Sequence, residues 1–310
     1  MKILPIAFDS FGVRSMATLV IARNLKIFID PGVALGPIRY GLPPTREEEL
    51  SLALSKEIIQ KEACRANIIV VTHYHYDHHP FPGDPLYECF KEKKVFAKNI
   101  YEDIHRSGEE RGKIFEKSVK DSSELIWADG KSFEIENVYL EFSNAVWHGE
   151  VNSKVGKVIM VYLQEGKDSF VFGSDAQSLA DPKALEWFIQ KDPKLAIIDG
   201  YPTIFLGWRF KYEGFEKAKQ NLIEAIAKTS TSQIILEHHI VRDISYKEKI
   251  SDLLRIAEEN GKKISTAAEF YSLQNFFLEA WRKEISEGKR KVDVEAYYKK
   301  LEEKIEKLKS

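Results

Sequence analysis

The sequence predicts an α/β protein, one sandwich of strands with helices outside. Short β-branched and aromatic runs recur in both halves of the 310-residue chain, and helical stretches punctuate them. No internal repeat or low-complexity linker separates the halves. A composition that is 44% hydrophobic and 30% charged supplies the core that such a sandwich needs.

The elements follow in order. Residues 17–22 and 26–30 are strand-like, joined by a turn at Arg23-Asn24-Leu25, and Pro31-Gly32 breaks the second. A Pro/Gly-spaced loop leads to a helix over residues 46–63, with Thr45 as its candidate N-cap and three glutamates in its first turns. Residues 66–71 read as a buried strand. After a segment punctuated by Pro80, Pro82, Gly83 and Pro85, residues 94–97 form a short strand and residues 101–122 are polar and partly helical. Strands return at 125–127, 138–142, 158–163, 169–172 and 196–198. A helix spans residues 215–228, a strand 233–236, and a further helix 246–260, closed by Gly261. From Phe276 the chain is helical again, interrupted at Gly288 and Lys289-Arg290-Lys291. Val294, Tyr298, Leu301, Ile305 and Leu308 then follow a 4-3-4-3 spacing, too short for a coiled coil. That stripe packs on the chain's own domain or, as the alternative, at a homodimer contact. The expected organisation is a domain over residues 1–275 and a helical extension over 276–310.

Charge and composition narrow the function classes. A formal net charge of −2 gives no global attraction to nucleic acid or an anionic membrane, though a local basic patch is compatible with it. No apolar stretch approaches the roughly 18–20 residues of a membrane span, and the N-terminus lacks a signal-peptide pattern. Cys64 and Cys89, the only cysteines, make no disulfide framework, so a reducing cytoplasm is the expected compartment.

The chemistry concentrates in Thr72-His73-Tyr74-His75-Tyr76-Asp77-His78-His79, directly after the buried strand. His73 and His75 project from alternate positions toward one side and can hold one ion. Asp77 and His78 follow the bend and can hold a second. Zinc accepts both imidazole nitrogen and carboxylate oxygen, so the remaining ligands are sought at other strand ends. His148 follows Ala145-Val146-Trp147, Asp175 closes Phe170-Val171-Phe172-Gly173-Ser174, and His238 closes Ile234-Ile235-Leu236-Glu237. A closed structural zinc site would be richer in cysteine.

This pattern of HxHxDH, a distant His, an Asp after an apolar strand and a His after a later strand resembles the metallo-β-lactamase superfamily. The resemblance covers about residues 1–275. Segments 12–17 and 30–37 are similar to a largely archaeal group of predicted metal-dependent hydrolases, for which the resemblance supplies no substrate. It implies a four-layer αββα sandwich and a dinuclear site. His73, His75 and His148 would hold the first ion, Asp77, His78 and His238 the second, and Asp175 would bridge them with a water or hydroxide. Asp30 would support the metal loop without binding metal. Two divalent ions are implied, zinc first, with manganese or iron compatible with the same donors. The bridging hydroxide would attack an ester-type bond, a phosphoester first and a thioester or lactone as alternatives, with Asp77 or a metal-bound water protonating the leaving group. A metal-bearing binding or sensor protein without turnover is the reading from another class. The redox branch of the superfamily carries a Glu where this chain has His75.

Other residues admit plainer readings. His239 is a substrate contact, a support for the site or a satisfied loop histidine, and His105 reads as an exposed helix histidine. Arg242 pairs with Asp243 or faces an anionic substrate. Arg209 is a second candidate for phosphate, and Tyr201, in the aromatic segment 201–210, belongs to a substrate wall, the core or an interface. Lys289-Arg290-Lys291 reads as a solvated charge run, with nucleic-acid contact as the sharper alternative.

Overall fold

Most strands are buried along their whole length because both of their faces are covered, and they form two sheets packed face to face. In the computed structural model, which describes residues 1–309, six strands form the first sheet in chain order. They are β1 (Lys2–Phe8), β2 (Met16–Ala22), β3 (Leu25–Ile29), β4 (Ile68–Val71), β5 (Lys94–Ala97) and β6 (Glu124–Trp127). β1 to β3 pair antiparallel and β3 to β6 parallel, so β1 runs in the same direction as β3 to β6. β7 (Ser132–Ile135) and β8 (Val138–Phe142) begin the second sheet, and a short ribbon of β9 (Val146–Trp147) and β10 (Lys157–Val158) follows. β11 (Val161–Glu165), β12 (Asp168–Phe172), β13 (Leu195–Asp199), β14 (Gln233–Glu237) and β15 (Lys263–Ser265) complete the sheet, with β12 to β15 parallel.

Nine helices cover the outer faces among the described residues: α1 (Arg46–Arg65), α2 (Arg106–Val119), α3 (Pro182–Lys191), α4 (Tyr212–Lys228), α5 (Tyr246–Lys249), α6 (Ser251–Glu259), α7 (Ala267–Phe270), α8 (Leu278–Ser286) and α9 (Val294–Lys309). Phe170, Phe172, Ile197 and Ile235 join the cluster that also holds the β1 to β5 side chains. Their neighbours Val171, Ala196, Ile198, Ile234 and Leu236 join a second cluster with α3, α4 and α6. One face of the second sheet therefore packs on the first sheet and the other on helices, which gives the four layers.

α1 begins at a capping box: the Thr45 hydroxyl accepts from the Glu48 N–H and the Glu48 carboxylate from the Thr45 N–H. The same Glu48 takes a two-point bond from Arg282 of α8 at 2.9 and 2.8 Å, and Arg282 also donates to Gly36 O and Leu42 O. Val294, Tyr298, Leu301 and Ile305 of α9 bury against α1 and β1, and the Tyr298 phenol bonds Ser55 at 2.7 Å.

Several expectations need correction. β1, β7, β15, α3 and α7 escape the sequence reading, and the strand expected over 158–163 is two, β10 and β11, in different sheets. The helix expected over 246–260 is two: Ile250 leaves helical dihedrals at φ −112°, ψ 21° and buries its side chain to 2% exposure, so packing overrides propensity. His105 is the N-cap of α2 rather than a helix residue, its ring accepting from the Ser107 N–H. Cys64 and Cys89 are joined in a disulfide, because the short helical turn Pro85–Phe90 packs on the end of α1. One such bond does not set a compartment, since intracellular proteins of hyperthermophiles carry them too. Among the described residues no helix is long and apolar enough to cross a membrane.

Candidate metal centre

The ends of the parallel strands β3, β4, β12, β13 and β14, together with the ribbon strand β9, converge at one edge of the sandwich and deliver polar residues there. Asp30 follows β3, Thr72 and His73 follow β4, His148 follows β9, Asp175 lies just beyond β12, Asp199 ends β13, and His238 follows β14. Asp30, Ser174 and His238 take left-handed φ values of 51°, 48° and 61°, a costly conformation for non-glycine residues that concentrates at functional sites. The metal loop itself lies against Gly32. A Cβ there would sit 2.2 Å from the His79 backbone nitrogen and 2.5 Å from that of His78, so only glycine fits.

Two groups of donor atoms form around Asp175. In the first, His73 Nε2 lies 3.1 Å from His75 Nδ1 and 3.5 Å from Asp175 Oδ2, which is also 3.0 Å from His148 Nε2. In the second, His78 Nε2 lies 3.0 Å from Asp175 Oδ1, and His238 Nε2 is 3.6 Å from Asp77 Oδ2 and 3.7 Å from Asp175 Oδ2. His73, His75, His148 and Asp175 offer atoms close enough to share one ion, and so do Asp77, His78 and His238. His78 Nε2, His148 Nε2 and Asp175 Oδ1 are buried yet make no hydrogen bond. Buried donors and acceptors are almost always paired, so these inward-facing atoms fit a cation.

The opposite ring nitrogens are held from behind. His78 Nδ1 meets Asp30 Oδ2 at 2.7 Å, and Asp30 also accepts from the Thr72 N–H at 2.7 Å and the Thr72 hydroxyl at 2.6 Å. His73 Nδ1 faces the hydroxyls of Thr72 and Ser174, each at 3.3 Å, and His148 Nδ1 faces the Gln177 amide at 3.4 Å. His238 Nδ1 meets Asp9 Oδ2 at 2.7 Å. A partner on the outer nitrogen fixes the tautomer and ring plane of a ligating histidine.

Electrostatics follow from the crowding. Burial, reinforced by the charge of His78, pushes His73 down to about 4, and burial lowers His75 well below its usual value. Burial alone would raise Asp77 and Asp175, but His78 and the other surrounding rings outweigh it and hold both carboxyls low. His78 goes the other way: burial opposes its charge, and Asp175 and Asp30 override it. The centre thus holds anionic carboxylates between two kinds of imidazole, His73 and His75 pushed down by burial and His78 and His238 raised by the carboxylates beside them.

His239 turns from the second group toward Asp199, with Nδ1 2.9 Å from Asp199 Oδ2 and its N–H bonded to Oδ1. Its ring can still share an ion with Asp175 and His238, so it stands beside the cluster. The expected Arg242–Asp243 pair does not form. Arg242 Nε donates to Asp9 at 2.7 Å, while Asp243 takes Lys249, Ser245 and Thr203. Tyr201 is buried, its phenol on Glu150 beside the His148 loop, and Arg209 is exposed over the rings of Phe205 and Trp208. Sequence reasoning missed Asp9 and Asp199 as site residues. Asp199 closes a strand that the sequence does show, as Asp30 does, whereas Asp9 follows β1, which was not read as a strand.

This double sheet with a His/Asp cluster at its strand ends is the metallo-β-lactamase fold. The metallo-beta-lactamase fold protein YhfI of Bacillus subtilis superposes with a TM-score of 0.53 at 12% identity, over 89% of this chain and 98% of that one. The chain belongs to the UPF0282 family. It is 41% identical over 307 residues to the UPF0282 protein of Thermococcus gammatolerans, covering 95% of this chain and 98% of that protein. It is 39% identical over 289 residues to the UPF0282 protein of Korarchaeum cryptofilum, covering 93% and 95%. No family model matches the chain.

Proposed function

We propose that the chain is a metal-dependent hydrolase that works through two divalent ions, zinc first, on an ester-type bond. The observation that carries this is the convergence of His78 Nε2, His148 Nε2 and Asp175 Oδ1, buried without hydrogen bonds, among two sets of ring and carboxylate donors. In this reading His73, His75 and His148 hold the first ion, Asp77, His78 and His238 the second, and Asp175 serves both. Such ions, when bound, lower the pKa of a shared water toward neutrality and offset charge on the attacked group. The protein's part is to fix the donors and manage the proton. Asp77 is the partly exposed carboxylate of the cluster, at 18% against 1% for Asp175. In this reading it, or a metal-bound water, would protonate the leaving group. A phosphoester is the preferred substrate because the guanidinium of Arg242 stands 3.7 Å from Asp77, a fixed cation beside the reacting position.

The test is turnover by the zinc-loaded chain on bis(p-nitrophenyl) phosphate, a thioester and a lactone. Hydrolysis of the phosphodiester is expected, and Asp175→Ala should abolish it and release both ions, whereas His239→Ala should keep metal content. Turnover confined to the thioester or lactone would replace the phosphoester assignment. Tight ligand binding with no turnover on any of the three would make the chain a binding protein.

A further inference from the structure

The Cys64–Cys89 bond joins residues 25 positions apart, and the stretch of chain that it closes into a ring is the one that carries the metal loop. β4 and the donors His73, His75, Asp77 and His78 all lie inside that ring. The two ends of the ring differ. Lys93 Nζ fixes the Cys64 end from outside, donating to Ala63 O, Cys64 O and Ala66 O at 2.7, 2.8 and 2.6 Å. Cys89 sits in the short turn Pro85–Phe90, which forms the floor of the metal loop. Tyr87 and Phe90 of the turn and Tyr74 and His79 of the loop pack around one ring, Phe115, with centroids 5.7 to 6.3 Å from it. The Tyr87 phenol also donates to Pro80 O at 3.0 Å. Movement of the turn therefore reaches the metal loop through packed rings, while the Cys64 end stays in place. Cys64 is exposed and Cys89 is buried, so the bond is approached from the Cys64 side.

We propose that Cys64 and Cys89 form a reversible thiol–disulfide site whose oxidation state sets how tightly the metal loop holds its ions. This rests on the two-ion reading above. A dithiol opens the site by exchange: the Cys64–Cys89 S–S bond breaks, the dithiol's own S–S bond forms, and two electrons and two protons pass to the cysteine pair. The freed Cys89 thiol has Gln60 O 3.8 Å away as an acceptor. With the ring closed, the turn is held against α1 and the loop keeps its binding geometry. With the ring open, the loop spends part of its time outside that geometry, and the apparent affinity is divided by the competent fraction. Both ions are affected together, because the ring carries His73 and His75 for one and Asp77 and His78 for the other. The coupling is reciprocal, so bound metal protects the disulfide by the same factor.

The test compares three metal-free forms of the full-length chain: oxidised, reduced with dithiothreitol and desalted anaerobically, and Cys64→Ser/Cys89→Ser. Zinc affinity is read by competition with a chromophoric chelator, bound ions by native mass spectrometry, and thiols by alkylation. Both ions are expected to bind about tenfold more weakly to the reduced chain than to the oxidised one. The double variant should match the reduced chain, since it lacks both the bond and any thiol that could take zinc itself. Should the variant alone fail to fold, the reduced parent chain carries the test. Equal or tighter binding on reduction, a loss confined to one ion, or a folded variant that binds like the oxidised chain would overturn this proposal alone. So would collapse of the fold on reduction, seen by circular dichroism, because the bond would then hold the whole chain rather than the loop. A single ion, or none, in every form would overturn the two-ion reading with it.

Discussion

His73, His78, His148 and His238 are each set by what stands behind the ring, and Asp9 shows how much that matters. Its carboxylate holds both His238 Nδ1 and Arg242 Nε at 2.7 Å. Burial would raise this carboxyl, but Arg242 and His238 keep it below its ordinary value and hence anionic. Asp9→Asn should free the His238 ring and weaken the second ion by roughly 10–100-fold while the first is retained, as read by chelator competition. Unchanged affinity at both sites would remove Asp9 from the account. The contact was not legible in the sequence. Asp9 lies 229 residues from His238, and it becomes a partner only because β1 runs in the same sense as β3. His73, His75, Asp77 and His78 were legible, because local spacing and a single strand end place them together. The pair His238-His239 was legible at the end of its strand, but not that Asp199 would take the second ring at 2.9 Å, because that partner comes from the neighbouring strand.

At the scale of elements, α8 fastens the site's outer wall. Glu279 takes Arg14 through two bonds at 2.6 and 2.7 Å and Arg39 at 3.3 Å, and Arg39 in turn holds the Arg242 turn. Burial would raise Glu279 above 4.5, but Arg14, with Arg242 and Arg39, brings it down to about 2. A depressed folded value means that the unfolded chain takes up the proton first as pH falls. The pair's contribution, about 3 kcal/mol on that shift, is therefore complete above about pH 4.5 and lost as pH falls toward 2. Glu279→Gln should lower Tm at neutral pH, and its melting curve should converge with that of the parent protein between pH 4.5 and 2. A difference constant across that range would show that the ion pair is not its source. The helical tail was visible from its 4-3-4 spacing, yet its polar anchors were not, because Arg282 and Glu279 find partners in Glu48 and Arg14 across the whole chain.

For the whole molecule, strand runs broken by helices were enough to foresee a sandwich. Strands of weak pattern, such as the half-buried β7, were lost because their burial depends on the neighbouring strand rather than on their own residues. The sandwich matters to function because it brings the ends of both parallel sets to one edge, where a loop from one sheet and strand ends from the other surround Asp175. The claim that this edge is a two-metal centre is tested most directly by anomalous scattering from crystals of the zinc-loaded chain. Two peaks are predicted, one about 2.0–2.2 Å from donors of His73, His75 and His148 and one at the same distance from Asp77, His78 and His238. A single peak, or a second ion held by His239 in place of His238, would contradict it.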